Sequence, residues 1–292
     1  MFGFYNTKPR KDVLKRPDGK SKMSVFFEIF FRKIWKICRL SMLYSLCATP
    51  IFIILMFVVG IMTSRITDFF TPLLTESQSD LELTKIYFDL VLRVVFSTLF
   101  IVFFGAGPVS AGFSYVLRNF AKEEHAWISS DFFQHTKANL KQSIMVFIID
   151  IAVFCLLFTA FMFYSSASGP LSYMKYVVVF SAFLYMMIHL YIYPLMVTFD
   201  LSLKDIFKNA VIFAVAESPR NVILLIVTAI IHFVIPYFCI INAVTVFALP
   251  LYFIFEFIGL VGITGFMSSF FTYPSIEMLI DSSNQISDTS EI

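Results

Sequence analysis

The sequence is poor in charge. Only 14% of its residues are Asp, Glu, Lys or Arg, against roughly 25% in soluble domains. That deficit excludes a soluble globule, because too few polar side chains exist to coat one. Reactive motifs are scarce as well. No GxSxG, HExxH, paired-cysteine motif or phosphate-binding glycine loop occurs, so hydrolytic, zinc and nucleotide chemistry have no local signature. The four cysteines, Cys38, Cys47, Cys155 and Cys239, lack metal-ligand spacing and fall in or beside apolar runs, where a thiol packs as a small hydrophobe. The two tryptophans, Trp35 and Trp127, lie in basic segments. They suit membrane-interface anchors better than a sugar-stacking platform. No enzyme activity, cofactor, metal site or nucleic-acid partner is expected.

What the chain has in abundance is apolar surface: 59% hydrophobic residues, 38 of them phenylalanine, and a mean hydropathy of +0.82. Its solvent must be membrane lipid. Runs near 40–62, 86–107, 144–164, 176–198, 222–241 and 244–267 each supply the roughly 20 apolar residues a span needs. The last two nearly touch, and a turn between Pro236 and Asn242 is expected to separate them. Six spans put both termini on one side of the membrane. Eighteen of the 22 Lys and Arg residues fall in residues 1–39, 108–143 and 199–221, which by the positive-inside rule places both termini in the cytoplasm. The expected compartment is a cell membrane, with insertion through the first span and no cleaved leader. The external loop 63–85 holds a capping-box pair, Ser79 and Glu82, expected to start the second helix. The basic arm 1–23 is expected to be flexible. The polar, acidic tail 277–292 is expected to be disordered.

The membrane domain, 24–276, reads as a threefold repeat over about 24–108, 129–194 and 202–274. SVFFEIFFRKIWKICRL, SSDFFQHTKANLKQS and SLKDIFKNAVIFAVAESPRN precede the first, third and fifth spans. Each begins with Ser, reaches an acid (Glu28, Asp131, Asp205) and then mixes aromatics with cations. Pro108, Pro194 and Pro274 recur at near-equal spacing at the exits of the even spans. The expected fold is therefore all-α: three tandem transmembrane hairpins, each preceded by a cytoplasmic amphipathic elbow helix. Arg32, Lys36, Phe132, Phe133, Lys137, Lys141, Phe207, Lys208 and Arg220 are the elbow residues. They suit anchoring at lipid phosphates and equally a docking face for another protein.

Polar residues within spans are the remaining candidates. Glu256 lies mid-way along the sixth span, His232 mid-way along the fifth, and His189 deep in the fourth. Such a group can relay protons or simply hold helices together by hydrogen bonds worth about 1–2 kcal/mol or less. Asp150 lies one or two turns into the third span, within reach of water or Lys141. Arg93 can snorkel outward or pair with Asp89 four residues earlier. Gly259, Gly262 and Gly265 form a strip where backbones can approach closely, either inside the bundle or as a seat for a partner's helix.

The stretch GPVSAGFSYVLRNFAKEEHAWISSDFFQHTKANLKQS resembles the central signature of the YesL family, small bacterial membrane proteins of undefined activity. Gly107, Pro108, Arg118, Glu123, Asp131, Phe132, Phe133, Asn139, Gln142 and Ser143 carry the likeness. Tyr193, Pro194, Leu195 and then Phe207, Lys208, Asn209, Ala210 match a second landmark. The likeness covers about 25–270; the longer basic arm and polar tail depart from it. The resemblance implies genomic company with carbohydrate ABC permeases. From it follows the leading expectation: an accessory or assembly subunit of a carbohydrate ABC importer, contacting a permease or ATPase subunit. A stand-alone channel or proton-coupled carrier using Glu256, His189 and His232 is the alternative. A homo-oligomeric scaffold is a third possibility.

Overall fold

The computed structural model describes residues 20–74, 78–234 and 248–290. Among these, every regular element is helical. In chain order they are α1 (Lys22–Leu74), α2 (Gln78–Phe104), α3 (Pro108–Ala121), α4 (Ile128–Ala138), α5 (Leu140–Ser166), a 3-10 turn (Gly169–Tyr173), α6 (Met174–Thr198), α7 (Leu203–Ala216) and α8 (Ser218–Ala229). A π-turn (Ile230–Val234) follows, then α9 (Ala248–Phe255), a second π-turn (Glu256–Leu260) and α10 (Val261–Ser290). Among the described residues, five helices are long and apolar enough to cross a membrane, or six if the bent pair Leu203–Ala216 and Ser218–Val234 counts as one span. These are the features of a multi-pass membrane protein. The expected turn between Pro236 and Asn242 and most of the basic arm lie outside the described residues.

The three approach segments differ from one another. The first is not a separate helix. It forms the opening turns of the 53-residue α1, about 80 Å long at 1.5 Å per residue. The segment holds no Gly, Pro or Asn between Lys22 and Leu40, so nothing in it stops helix propagation. The second approach is the separate helix α4. It ends at Asn139, which leaves helical geometry at φ −104°, ψ 13°. The Asn139 side-chain amide donates to the His135 carbonyl at 2.9 Å, and the Ser143 hydroxyl donates to the Asn139 carbonyl at 2.6 Å. These bonds satisfy polar groups that the break would otherwise strand. The third approach, α7, starts as its Ser-x-x-Asp spacing predicts: the Asp205 N–H donates to Ser202 Oγ at 3.3 Å. It then bends by 93° into α8.

Pro108 follows the end of α2 at Phe104 and opens α3, a helix to which the sequence reading assigned no element. Gly105 (φ 80°) and Gly107 (φ 54°) make the turn before it in a backbone region open mainly to glycine. Pro194 lies in α6, close before its end at Thr198, and Pro274 lies inside α10. The tail expected to be disordered continues α10 through Ser290.

Two compact units emerge. One comprises Met1–Leu46, Pro108–Ser143 and Met187–Ile292; the other comprises Cys47–Gly107 and Ile144–Met186. In the first, α3 is central. Val116, Leu117 and Phe120 are buried, and α3 lies against α4 and α10. Gly112 lets α3 meet α4, since a Cβ there would strike the Phe132 carbonyl oxygen. Gly262 and Gly265 do the same work for α10. A Cβ on Gly262 would sit 2.9 Å from the Ile37 carbonyl oxygen, and one on Gly265 2.8 Å from the Phe113 ring. The glycine strip therefore packs inside the chain. Phe26 joins this core against Phe266, Phe270 and Phe271 at centroid distances of 5.4–5.7 Å.

The second unit gathers the second half of α1, α2, most of α5 and the first half of α6. Its outward residues, among them Phe57, Ile61, Leu156 and Phe180, are large, apolar and exposed, as lipid contact requires. Two of its acids, Asp150 and Asp89, have side-chain partners. The Tyr185 hydroxyl donates to Asp150 Oδ1 at 2.6 Å. Asp150 is fully buried, so it does not reach out to water as expected. Arg93 Nε donates to Asp89 Oδ2 at 2.6 Å, the pairing expected from their spacing, and the guanidinium lies across Gly60.

Gly262→Ala should lower the stability of the detergent-solubilised protein by about 1–3 kcal/mol, the usual penalty of overpacking. Gly259→Ala should be near neutral, because its Cβ would meet nothing closer than Cys38 Sγ at 3.7 Å. Unfolding of the two variants followed by circular dichroism checks the contrast.

Candidate functional site

The first unit holds a buried polar cluster built on the two π-turns. A π-turn widens the helix and shifts side-chain register by one residue, and such turns recur at functional sites. His232 lies in the turn Ile230–Val234, and Glu256 opens the turn Glu256–Leu260. His232 Nδ1 lies 3.1 Å from Glu256 Oε2 in hydrogen-bond geometry. Oε1 is nearer, at 2.9 Å, yet it lies off the N–H direction and is buried without a hydrogen-bond partner among the described residues. On the other side of the ring, Nε2 lies 3.1 Å from Thr264 Oγ1. The Thr264 hydroxyl donates to the Leu260 carbonyl at 3.0 Å. The Tyr252 hydroxyl donates to the His232 carbonyl at 3.3 Å. His232 and Glu256 are 2% and 6% exposed, which leaves little access to bulk water.

Sequence reasoning grouped Glu256 with His232 and His189. The structure brings the first two together. His189 is buried in α6 with its ring edge-on to Tyr193 at 5.5 Å. Thr264 was missed. Its signal was its place eight residues after Glu256, on the same helical face.

A second polar network holds the α7–α8 bend. Asn221 is fully buried. Its amide donates to the Phe213 and Ala214 carbonyls at 3.3 and 3.2 Å, capping the end of α7. Its oxygen accepts from the Tyr191 hydroxyl at 2.7 Å. Arg220 donates to that same hydroxyl at 3.0 Å and pairs with Glu217 at 3.6 Å. Arg220 was expected on a docking face; it is instead tied into this network. Phe132, expected there too, is fully buried because α4 packs its inner face against α3. Phe207 is half-buried.

The other elbow residues are exposed. Lys36, Phe133, Lys137, Lys141 and Lys208 are accessible, and Arg32 is accessible while pairing with Glu123. Beside them on α1, Phe27, Phe31 and Trp35 are exposed at four-residue intervals, Trp35 at 80%. They form one stripe along the helix.

Arg118 ties α3 to the end of α6. It donates to the Val197 carbonyl at 3.0 Å and covers the Tyr115 ring at 4.5 Å. His135 stacks on Tyr115 at 3.4 Å between centroids. Burial, and then the Arg118 guanidinium, holds His135 below the ordinary histidine value, partly offset by Asp131. Among the described residues, no group of three or more His, Cys, Asp or Glu is placed to hold a metal ion.

A family model described as "Protein of unknown function, DUF624" matches residues 37–161. The match takes in Arg118, Asn139 and Asp150 and stops before His189, His232 and Glu256. No curated protein and no solved structure matches the chain.

Because folding lowers the proton affinity of His135, its neutral form stabilises the fold. That contribution is present above about pH 6.5, the unfolded value, and is lost as pH falls through the lower folded value. The thermal midpoint should therefore drop on acidification below about pH 6.5. His135→Gln should flatten that dependence in a pH series of melting curves.

Proposed function

We propose that this chain is an accessory or assembly subunit of a carbohydrate ABC importer in a bacterial cell membrane, with both termini in the cytoplasm. The resemblance to the YesL family, consistent with the matched family of unknown function, supplies the carbohydrate context. The observation that supports docking is the α1 stripe Phe27, Phe31 and Trp35 with Arg32 and Lys36 beside it. In this orientation the stripe runs on the cytoplasmic side of the first span. Three exposed aromatics flanked by cations give a partner both apolar anchors and charge to pair with. Lys137 and Lys141 add charge within the same unit. The scarcity of polar side chains in the spans favours a helper over a substrate path. Membrane lipid covers the remaining apolar faces, and self-association is a further use of the same surface.

A second reading, a proton-coupled carrier or channel, is favoured by one observation: a buried Glu–His pair set on two π-turns. Broken helices at a polar site are a recurring feature of carriers.

Affinity purification of the tagged chain in mild detergent should recover a permease or ATPase subunit. The double substitution Phe31→Ser, Trp35→Ser should abolish that recovery while leaving the chain folded; recovery of neither subunit by the unmodified chain removes the proposal. For the second reading, proteoliposomes should show proton-dependent flux that Glu256→Gln removes. Equal leak in both preparations ends that case.

A further inference from the structure

The buried pair admits a count of its protons. The Thr264 hydroxyl donates to backbone, to the Leu260 carbonyl at 3.0 Å with the Val261 carbonyl at 3.3 Å sharing it, so its oxygen is left to accept from His232 Nε2. Nε2 then carries a hydrogen, since a histidine's tautomer is set by its partners. The other nitrogen, Nδ1, faces Glu256 Oε2. Two arrangements satisfy that contact. Either an imidazolium donates to a carboxylate, or a protonated carboxyl donates to a neutral ring. Both hold one proton between Nδ1 and the carboxyl, and both leave the pair electrically neutral.

Removing that proton while Nε2 keeps its own would aim a ring lone pair at a carboxylate. The pair escapes this by changing tautomer. Nδ1 takes the hydrogen and donates to Glu256, while Nε2 becomes an acceptor. Among the described residues its hydroxyl neighbour is Thr264, which must then leave the Leu260 carbonyl and its weaker contact with the Val261 carbonyl. Leu260 is the last residue of the second π-turn. We propose that His232 and Glu256 form one proton-binding site, and that emptying it moves the Thr264 hydroxyl from the Leu260 carbonyl to His232 Nε2.

An independent observation points to the same ligand. Glu256 Oε1 is buried with no donor among the described residues, on a side chain that is 8% exposed. A carboxylate oxygen left without a donor is an acceptor that a proton can occupy. The empty site carries one negative charge, which is expensive in an apolar interior. Among the described residues no Lys or Arg pairs with Glu256 to offset it. The groups that meet the pair are Thr264 of α10 and Tyr252 of α9; on α1, Cys38 lies near Gly259. None of these is a cation.

The inference uses the pair that supports the carrier reading and does not depend on flux. Nitrogen-15 spectra of the His232 ring in the full-length, unmodified chain in lipid bilayers test it. Across a pH series the ring should pass through a single transition. Nε2 should carry hydrogen on the acid side and be a bare acceptor on the alkaline side, with the Leu260 carbonyl signal shifting in step. Glu256→Gln should abolish the transition. Thr264→Val should keep a one-proton transition but uncouple the Leu260 signal. The same tautomer at both extremes, two separate steps, or no transition would overturn the proposal, and each is read without any variant. A chain that shows the tautomer exchange yet carries no flux keeps this inference and loses only the carrier.

Discussion

Hydrocarbon offers no hydrogen bonds, so a polar side chain in the spans is stabilised chiefly by a partner within the chain. Asp150 takes a tyrosine hydroxyl, Asp89 takes an arginine, and His232 stands between a carboxyl and a threonine. Asp150 with Tyr185 and His232 with Glu256 join different helical segments and fix the rotation of one against the other, whereas Asp89 and Arg93 pair within α2. Such bonds are individually modest in membranes. Their weight comes from the absence of any alternative.

Without a hydrophobic drive between helices in lipid, close approach supplies the rest of the cohesion. Gly112, Gly262 and Gly265 bring backbones together, and phenylalanines fill what remains, as around Phe26. The second unit needs less. Its outward phenylalanines and isoleucines face a solvent as apolar as themselves.

Much of this was legible in the sequence. Apolar length and charge depletion mark the helices as spans, and the i, i+4 spacing of Asp89 and Arg93 gives their pairing. Ser202 and Asp205 announce the start of α7, and Glu256 and His232 stand out as polar residues in apolar runs. What was not legible was direction. A single helix stripe does not say which face turns inward, so Phe132 was placed outside and Arg220 among free cations. Composition also hid α3. Its small residues, Gly112, Ser110 and Ala111, gave no helix signal, whereas they serve close packing at the centre of a unit. The uninterrupted α1 was misread because a change of composition near Leu40 resembles a joint. The backbone bends only where a residue such as Asn139 gives it reason to.

Asn221 has a consequence for how the chain is assembled. Its amide end closes the bend between α7 and α8 with groups from its own neighbourhood, while its oxygen waits for Tyr191, thirty residues earlier in the chain. The corner can therefore take shape as it is synthesised, and seating α6 locks it. A chain that carried phenylalanine in place of Tyr191 would still turn the corner, but nothing would latch it.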